Sequence, residues 1–355
     1  MWRESIAVDV TITTQRERRA TFADQLAFTK IKQVLQVLRR GNHFTQGYPD
    51  IQALWAKGFL RLADEIRTAG RLRLADPVPS MSQQVSVNRP STLLQALPLC
   101  RLPYQSTWIE WAPEDRRADE ALFVPNGLTV PKYEGVLLFA LEPSLRRFGA
   151  IPVWRHATCD IPMMPSMVMV FDFRPESQPT KEDIEERVCT LLDRHHRQSG
   201  YCKELQKDMK EAVALAELGL RCVTIRNPLH VEALDQLEYR DHQMLTRLDH
   251  EAEVDTSGDA RFIMAVLALL NARNATERTP VKAEGSNRIR IGGPPLMAHH
   301  VVSLDLSRIA RNRLKGETVA ERRAHLVRGH FKVRKTARNP EGVDLFWWNP
   351  HVRRG

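Results

Sequence analysis

The sequence predicts an α+β fold: a mostly antiparallel sheet, N-terminal and central helices, and a basic C-terminal β-hairpin. Three observations carry that expectation. Between Thr107 and Phe173, short runs rich in β-branched and aromatic residues are punctuated by Gly, Pro and Asn, the pattern of antiparallel strands. On either side of them, apolar residues recur at helical spacing. Near the C-terminus, two alternating runs flank Asn339-Pro340-Glu341-Gly342, which is strong turn chemistry.

The elements follow in order. Residues 1–15 alternate like an edge strand. Thr21 to Arg40 places Leu26, Ile31, Val34, Leu35 and Leu38 at helical spacing, with Thr21 or Asp24 as cap and Gly41 as stop. Asp50 to Ala69 repeats the pattern with Ile51, Leu54, Trp55, Phe59, Leu62 and Ile66. The connection between these two is too long for a helix-turn-helix, so a helical hairpin on the core is expected. Residues 76–106, rich in proline and polar residues, read as linker-like. Strands are expected at Thr107–Trp111, Gly135–Leu141, Ile151–Arg155 and Met167–Phe173. Alternation places Glu110 and Asp172 on solvent-facing positions rather than in catalysis.

Thr180 with Asp183 resembles a capping box opening a helix to about Arg197. His195 and His196 suit its C-terminus. Further helices are expected at Tyr201–Gly219, with Gly219 as C-cap, at 229–249 and at Asp259–Asn271; a strand is expected at Arg221–Ile225. His242 and His250 read as surface histidines. His299 to Leu306 looks like another strand. The expected division is a helical region 1–75, a linker 76–106, an α+β core 107–277 and a basic β-rich region 278–355 packed on that core.

At 355 residues the chain is long enough for a substantial core, and its 43% hydrophobic and 27% charged residues are ordinary for a globular protein. No apolar run approaches the roughly 20 residues that span a bilayer, and the N-terminus lacks an apolar signal core. A cytoplasmic location and no membrane partner are the expectations. Cys100, Cys159, Cys189, Cys202 and Cys222 are widely spaced without a CxxC pair, against a disulfide framework or zinc site. They are expected as buried or half-buried thiols, with no metal and no cofactor.

Charge is more informative once located. Residues 278–355 carry 17 basic and 6 acidic residues, whereas the whole chain is only +9. The excess positive charge therefore lies in the last fifth of the chain, the electrostatic footprint of a DNA or RNA contact or of an acidic protein partner. Arg288 and Arg290 share one side of an extended segment before Gly292-Gly293-Pro294-Pro295, which is not a P-loop because no Lys-Ser/Thr follows.

The segments LLNARN, SNRIRIGGPPL, HLVRGHFKVRK and FWWNPHVRRG, together spanning roughly residues 262–355, resemble an uncharacterised family of tailed bacteriophages and prophages. Its members end similarly, in a His-x-Val-Arg-Gly-His-basic strand and a Trp-x-x-Pro-His-x-x-Gly close. The resemblance implies a phage or prophage origin and a bacterial host cell. It brings no activity, catalytic residue or cofactor.

The residues themselves offer three readings of the hairpin, expected as strands Ala324–Lys335 and Val343–Val352. As a nucleic-acid platform, Arg328, Lys332, Arg334 and Lys335 would meet phosphates while Phe331, Trp347 or Trp348 stacks on an unpaired base. As a metal-independent nuclease, His325 or His330 would pair with His351 as base and acid, Arg328 or Lys332 stabilising the phosphorane. His325 and His330 differ in strand parity unless Gly329 bulges, so only one would face His351. As a structural lock or contact with other phage or host proteins, one of Trp347 and Trp348 would be buried.

Overall fold

The computed structural model describes residues 21–28, 32, 34–35, 38, 47–116, 133–155, 162–196, 209–284, 296–304, 324–327, 330–336, 342–348 and 351–354. For 133, 191–196, 209, 251–258, 324–327 and 351–354 it describes the backbone only. The expected strand within 1–15, most of the helix beyond Phe28 and the start of the Tyr201 helix lie outside these residues.

Among the described residues, nine strands form one sheet. They are β1 (Gly70–Leu74), β2 (Ser106–Trp111), β3 (Tyr133–Ala140), β4 (Arg147–Arg155), β5 (Pro162–Met163), β6 (Met167–Asp172), β7 (Cys222–Arg226), β8 (Thr276–Val281) and β9 (His299–Leu304). The order is β7-β6-β4-β3-β2-β1-β9-β8, with β5 paired to β4. Neighbours run antiparallel except around β1, which lies parallel to both β2 and β9. The sheet is thus mostly antiparallel, with β1 as its parallel insertion.

Strand alternation divides the apolar side chains between two faces. Leu72, Leu74, Ile109, Trp111, Val136, Leu138, Phe148 and Met169 point to one core. Trp108, Leu137, Ile151, Val153 and Val168 point to the other. On the second face lie α1 (Phe22–Ala27), α2 (Pro49–Thr68) and α8 (Val231–Arg240). On the first lie α3 (Val78–Asn88), α4 (Pro90–Ala96) and the C-terminal half of α9 (His242–Asn271). The remaining helices are α5 (Pro113–Arg116), α6 (Lys181–His196) and α7 (Met209–Leu220).

The local signals behave as chemistry requires. Thr21 caps α1 in a full capping box with Asp24. The Thr180 hydroxyl accepts from Asp183 N at 3.1 Å, and Asp183 accepts from Thr180 N at 3.0 Å, the reciprocal bonds expected of a box with a shorter acid. Gly135 lies under the Trp108 ring, where a Cβ would come within 2.4 Å of it. Only glycine permits that approach of β3 to β2's indole.

Several expectations are corrected. Residues 76–106 are no linker: α3, α4 and the turn Leu97–Leu99 bury Val78, Val85, Leu93, Ala96, Leu97, Cys100 and Leu102 in the first core. Their prolines sit in first helical turns, where the missing N–H costs nothing. The edge expected between 277 and 278 falls inside β8. The two helices expected at 229–249 and 259–271 are instead α8 and one 30-residue helix, α9, which runs through Gly258 because its apolar end is buried on the sheet. Gly219 lies within α7 rather than after it. Cys189 is exposed, whereas burial raises the buried Cys100 thiol and pushes the half-buried Cys222 up to about 12, disfavouring the thiolate at both.

Glu110 is the largest departure. It is 6% exposed instead of solvent-facing. Its carboxyl accepts from Phe22 N (3.2 Å), Ala23 N (2.8 Å) and the Trp108 indole Nε1 (2.9 Å), tying α1 to β2. Burial pushes its pKa upward against these hydrogen bonds. Asp172 is half-buried; burial opposes its ionisation, but hydrogen bonds from Arg174 and Ser177 prevail and hold it below the usual carboxylate range.

Candidate nucleic-acid interface

The C-terminal ribbon has two ladders. β11 (His330–Lys335) pairs antiparallel with β12 (Val343–Trp348), and β10 (Ala324–Val327) pairs with β13 (His351–Arg354). His330 faces Trp348 in one ladder and Val327 faces His351 in the other, so two residues separate the ladders on each strand. Gly329, where a bulge would change strand parity, lies outside the described residues. At the tip, Gly342 adopts φ 71° and its carbonyl accepts from Thr336 N at 2.9 Å. That left-handed backbone is why glycine closes the turn. The rest of the turn, 337–341, is outside the described residues.

Alternation gives the β11–β12 ribbon two unlike faces. Phe331, Leu345 and Trp347 are 4%, 3% and 2% exposed and belong to the first core. Phe331 and Trp347 stack obliquely with ring centres 4.8 Å apart. α4 packs against β11. The opposite face carries His330, Lys332, Arg334, Asp344, Phe346 and Trp348. Lys332 and Arg334 are exposed, and Trp348 is 38% exposed. Lys332 Nζ lies 4.7 Å from the Trp348 ring centre, and the Arg334 guanidinium lies 5.5 Å from it and 5.7 Å from Phe346. The cations thus lie within cation–π distance of aromatic rings on this face, an arrangement able to meet both phosphate and base.

The chain clamps this ribbon in place just after α9. Asn274 Nδ2 donates to the Trp347 carbonyl and Asn274 Oδ1 accepts from Trp347 N, both at 2.8 Å. Arg273 N donates to Leu345 O at 2.9 Å, and its guanidinium pairs with Asp344. Asn271 donates to the Arg101 carbonyl at 3.0 Å, holding the segment after α4 to the same corner. The LLNARN segment therefore serves as a docking edge for β12, a role the sequence marked without revealing. Asn274→Ala would remove both hydrogen bonds to the half-buried Trp347 backbone, at a cost of about 1–3 kcal/mol. Denaturant unfolding of the two proteins measures it, and a loss under about 1 kcal/mol would show that the clamp does not hold the ribbon.

The predicted site residues are not brought together as one group. Lys332, Arg334 and Trp348 share the outer face with His330, whose ring centre is 5.9 Å from that of Trp348. Trp347 is corrected as a stacking residue: its ring is in the core, as is that of Phe331. Lys335 pairs with Val343 and so lies on the opposite face from Lys332 and Arg334. Arg288, Arg290 and Arg328 are outside the described residues. For His325 and His351 the backbone alone is described: His325 faces Arg353, and His351 faces Val327, three rungs from His330.

Neither a protein-family model nor a curated protein matches the chain. What the site can do therefore rests on its own geometry. Among the described residues, no group of three His, Cys, Asp or Glu is placed to hold a metal ion. No helix among them is long and apolar enough to cross a membrane. His242 and His250 are exposed on α9.

Proposed function

We propose that the chain is a nucleic-acid-binding accessory protein of phage or prophage origin, whose contact surface is the outer face of the C-terminal ribbon. The supporting observation is the pairing of exposed Lys332 and Arg334 with the half-open Trp348 ring on one face of an anchored β-ribbon. Lysine and arginine neutralise phosphates and release counterions, while the indole offers a base an apolar plane. Arg288, Arg290 and Arg328 join this reading from the sequence as further phosphate contacts, and Lys335 as one at the ribbon's margin. The partner is DNA or RNA in a bacterial cytoplasm.

The test is binding of labelled single- and double-stranded DNA and RNA across a salt titration, with strand integrity followed in the same samples. Binding is expected to weaken with salt, and Lys332→Ala or Arg334→Ala is expected to lower the slope of log K against log salt by about one. No binding at low salt, or binding untouched by both variants, would sink the proposal. The second reading is a histidine nuclease, favoured by His330 standing on the same face as the cations. It requires turnover that His330→Ala abolishes while binding persists.

A further inference from the structure

β7 closes one end of the sheet, and its outer edge has no strand partner among the described residues. Asp172 N donates to Arg221 O, and Asn227 N donates to Ser166 O, both across the β6–β7 ladder. In an antiparallel pair the bonded positions alternate, so Val223 and Ile225 also bond inward. The backbone groups of Cys222, Thr224 and Arg226 consequently point outward. The opposite edge of the sheet is guarded: β8 carries exposed Glu277, Arg278 and Pro280, the usual devices against strand addition. β7 carries the reverse, with Val223 56% and Ile225 44% exposed.

The helix after β7 extends the patch. Arg226 reaches Glu238 at 2.6 Å and Asp235 at 3.8 Å, which brings this face of α8 beside the end of β7. Val231 and Tyr239, one turn before and after Asp235, are 40% and 90% exposed. An open strand edge thus adjoins exposed apolar side chains around an ion cluster in which Arg226 meets both Asp235 and Glu238.

We infer that β7 is a self-association edge, on which a second copy of this chain pairs its own β7 antiparallel about a two-fold axis at Thr224. The sequence Cys-Val-Thr-Ile-Arg is self-complementary in that register. Thr224 meets Thr224 in a bonded pair, and Cys222 meets Arg226 in bonded pairs on either side. Val223 packs against Ile225 of the other copy, a β-branched pair on one face. Charge fits as well: Arg226, already neutralised by Glu238, faces an uncharged residue and no like charge. A five-residue strand alone buries less than the roughly 1,200 Å² of a stable interface, so Val231 and Tyr239 must widen it and the dimer is a weak one.

Sedimentation of the full chain over a concentration series tests this. The apparent mass is expected to rise from 40.7 kDa towards twice that value. Ile225→Lys, on an already exposed side chain, is expected to weaken dimerisation at least ~10-fold by placing a charge against Val223. The double variant Val223→Glu/Ile225→Lys sets opposite charges across the axis and is expected to restore it. Hydrogen exchange of the unmodified protein supplies a readout free of any folding defect. The Cys222, Thr224 and Arg226 amides are expected to gain protection with concentration. A monomer at every concentration, or a dimer that ignores Ile225→Lys and leaves those amides unprotected, would overturn the inference.

Discussion

Replacing Trp347 by alanine is expected to cost about 3–5 kcal/mol of folding stability, whereas replacing its neighbour Trp348 costs about 1 kcal/mol or less. The two tryptophans are adjacent in sequence and opposite in environment. Trp347 is 2% exposed, packs on Phe331 and lies in the same core as Leu345 and the end of α9. Its removal leaves a cavity that the surrounding core fills only in part. Trp348 is 38% exposed and meets Lys332, Arg334 and His330 on the outer face. Removing it forfeits cation–π contacts worth about 0.5–1 kcal/mol each at exposed sites, partly recovered by hydration. The order reverses for ligand: on the proposed function, Trp348→Ala loses about 1–3 kcal/mol of single-strand affinity. Urea unfolding and a binding titration on both variants separate the two roles. Equal destabilisation by both changes would show that the ribbon's faces are wrongly assigned.

Replacing Glu110 by alanine is expected to cost about 3 kcal/mol or more. Three donors, Phe22 N, Ala23 N and Trp108 Nε1, lose their acceptor in the interior, and each orphaned group costs roughly 1–3 kcal/mol. Glu110 also gives stability a pH dependence with a definite sign. Its folded pKa is raised, burial being the largest cause. Its contribution is therefore fully present below the ordinary value of 4.5 and is lost as pH rises through the raised folded value. Glu110→Gln removes that titration while retaining an acceptor. The stability difference between Glu110→Gln and the unaltered protein should then move in favour of the glutamine as pH rises above 4.5. A flat difference would show that the hydrogen bonds balance burial, and one moving the other way that they outweigh it.

What could be read from the sequence was decided within a few residues. Thr21 with Asp24 and Thr180 with Asp183 announce their helices because cap and partner lie three positions apart. β2, β3, β4 and β6 announce themselves through β-branched and aromatic runs. β1 does not, since Arg71 and Arg73 make Gly70–Leu74 look polar. Arg71 is accommodated by carbonyls of Ile66, Arg67 and Ala298, the last of them remote in sequence. The site shows the same boundary. Alternation required one buried tryptophan of the pair, but which one depends on α4 and on Asn274, 73 residues away from Trp347. Likewise Glu110 reads as an outward position until α1 is laid over it.

The position of β1 sets a timetable for synthesis. Leu72 pairs with His300, so about 230 residues must follow it before its second edge is covered. At roughly 5–20 residues per second, on the order of 10–50 s pass between the two arriving. In that interval β2 can shield one side only, leaving an exposed template for stray strands in the interior of the future sheet. A newly made chain is therefore most vulnerable to misassembly before its last quarter is made, and truncation ahead of β9 would leave that vulnerability permanent.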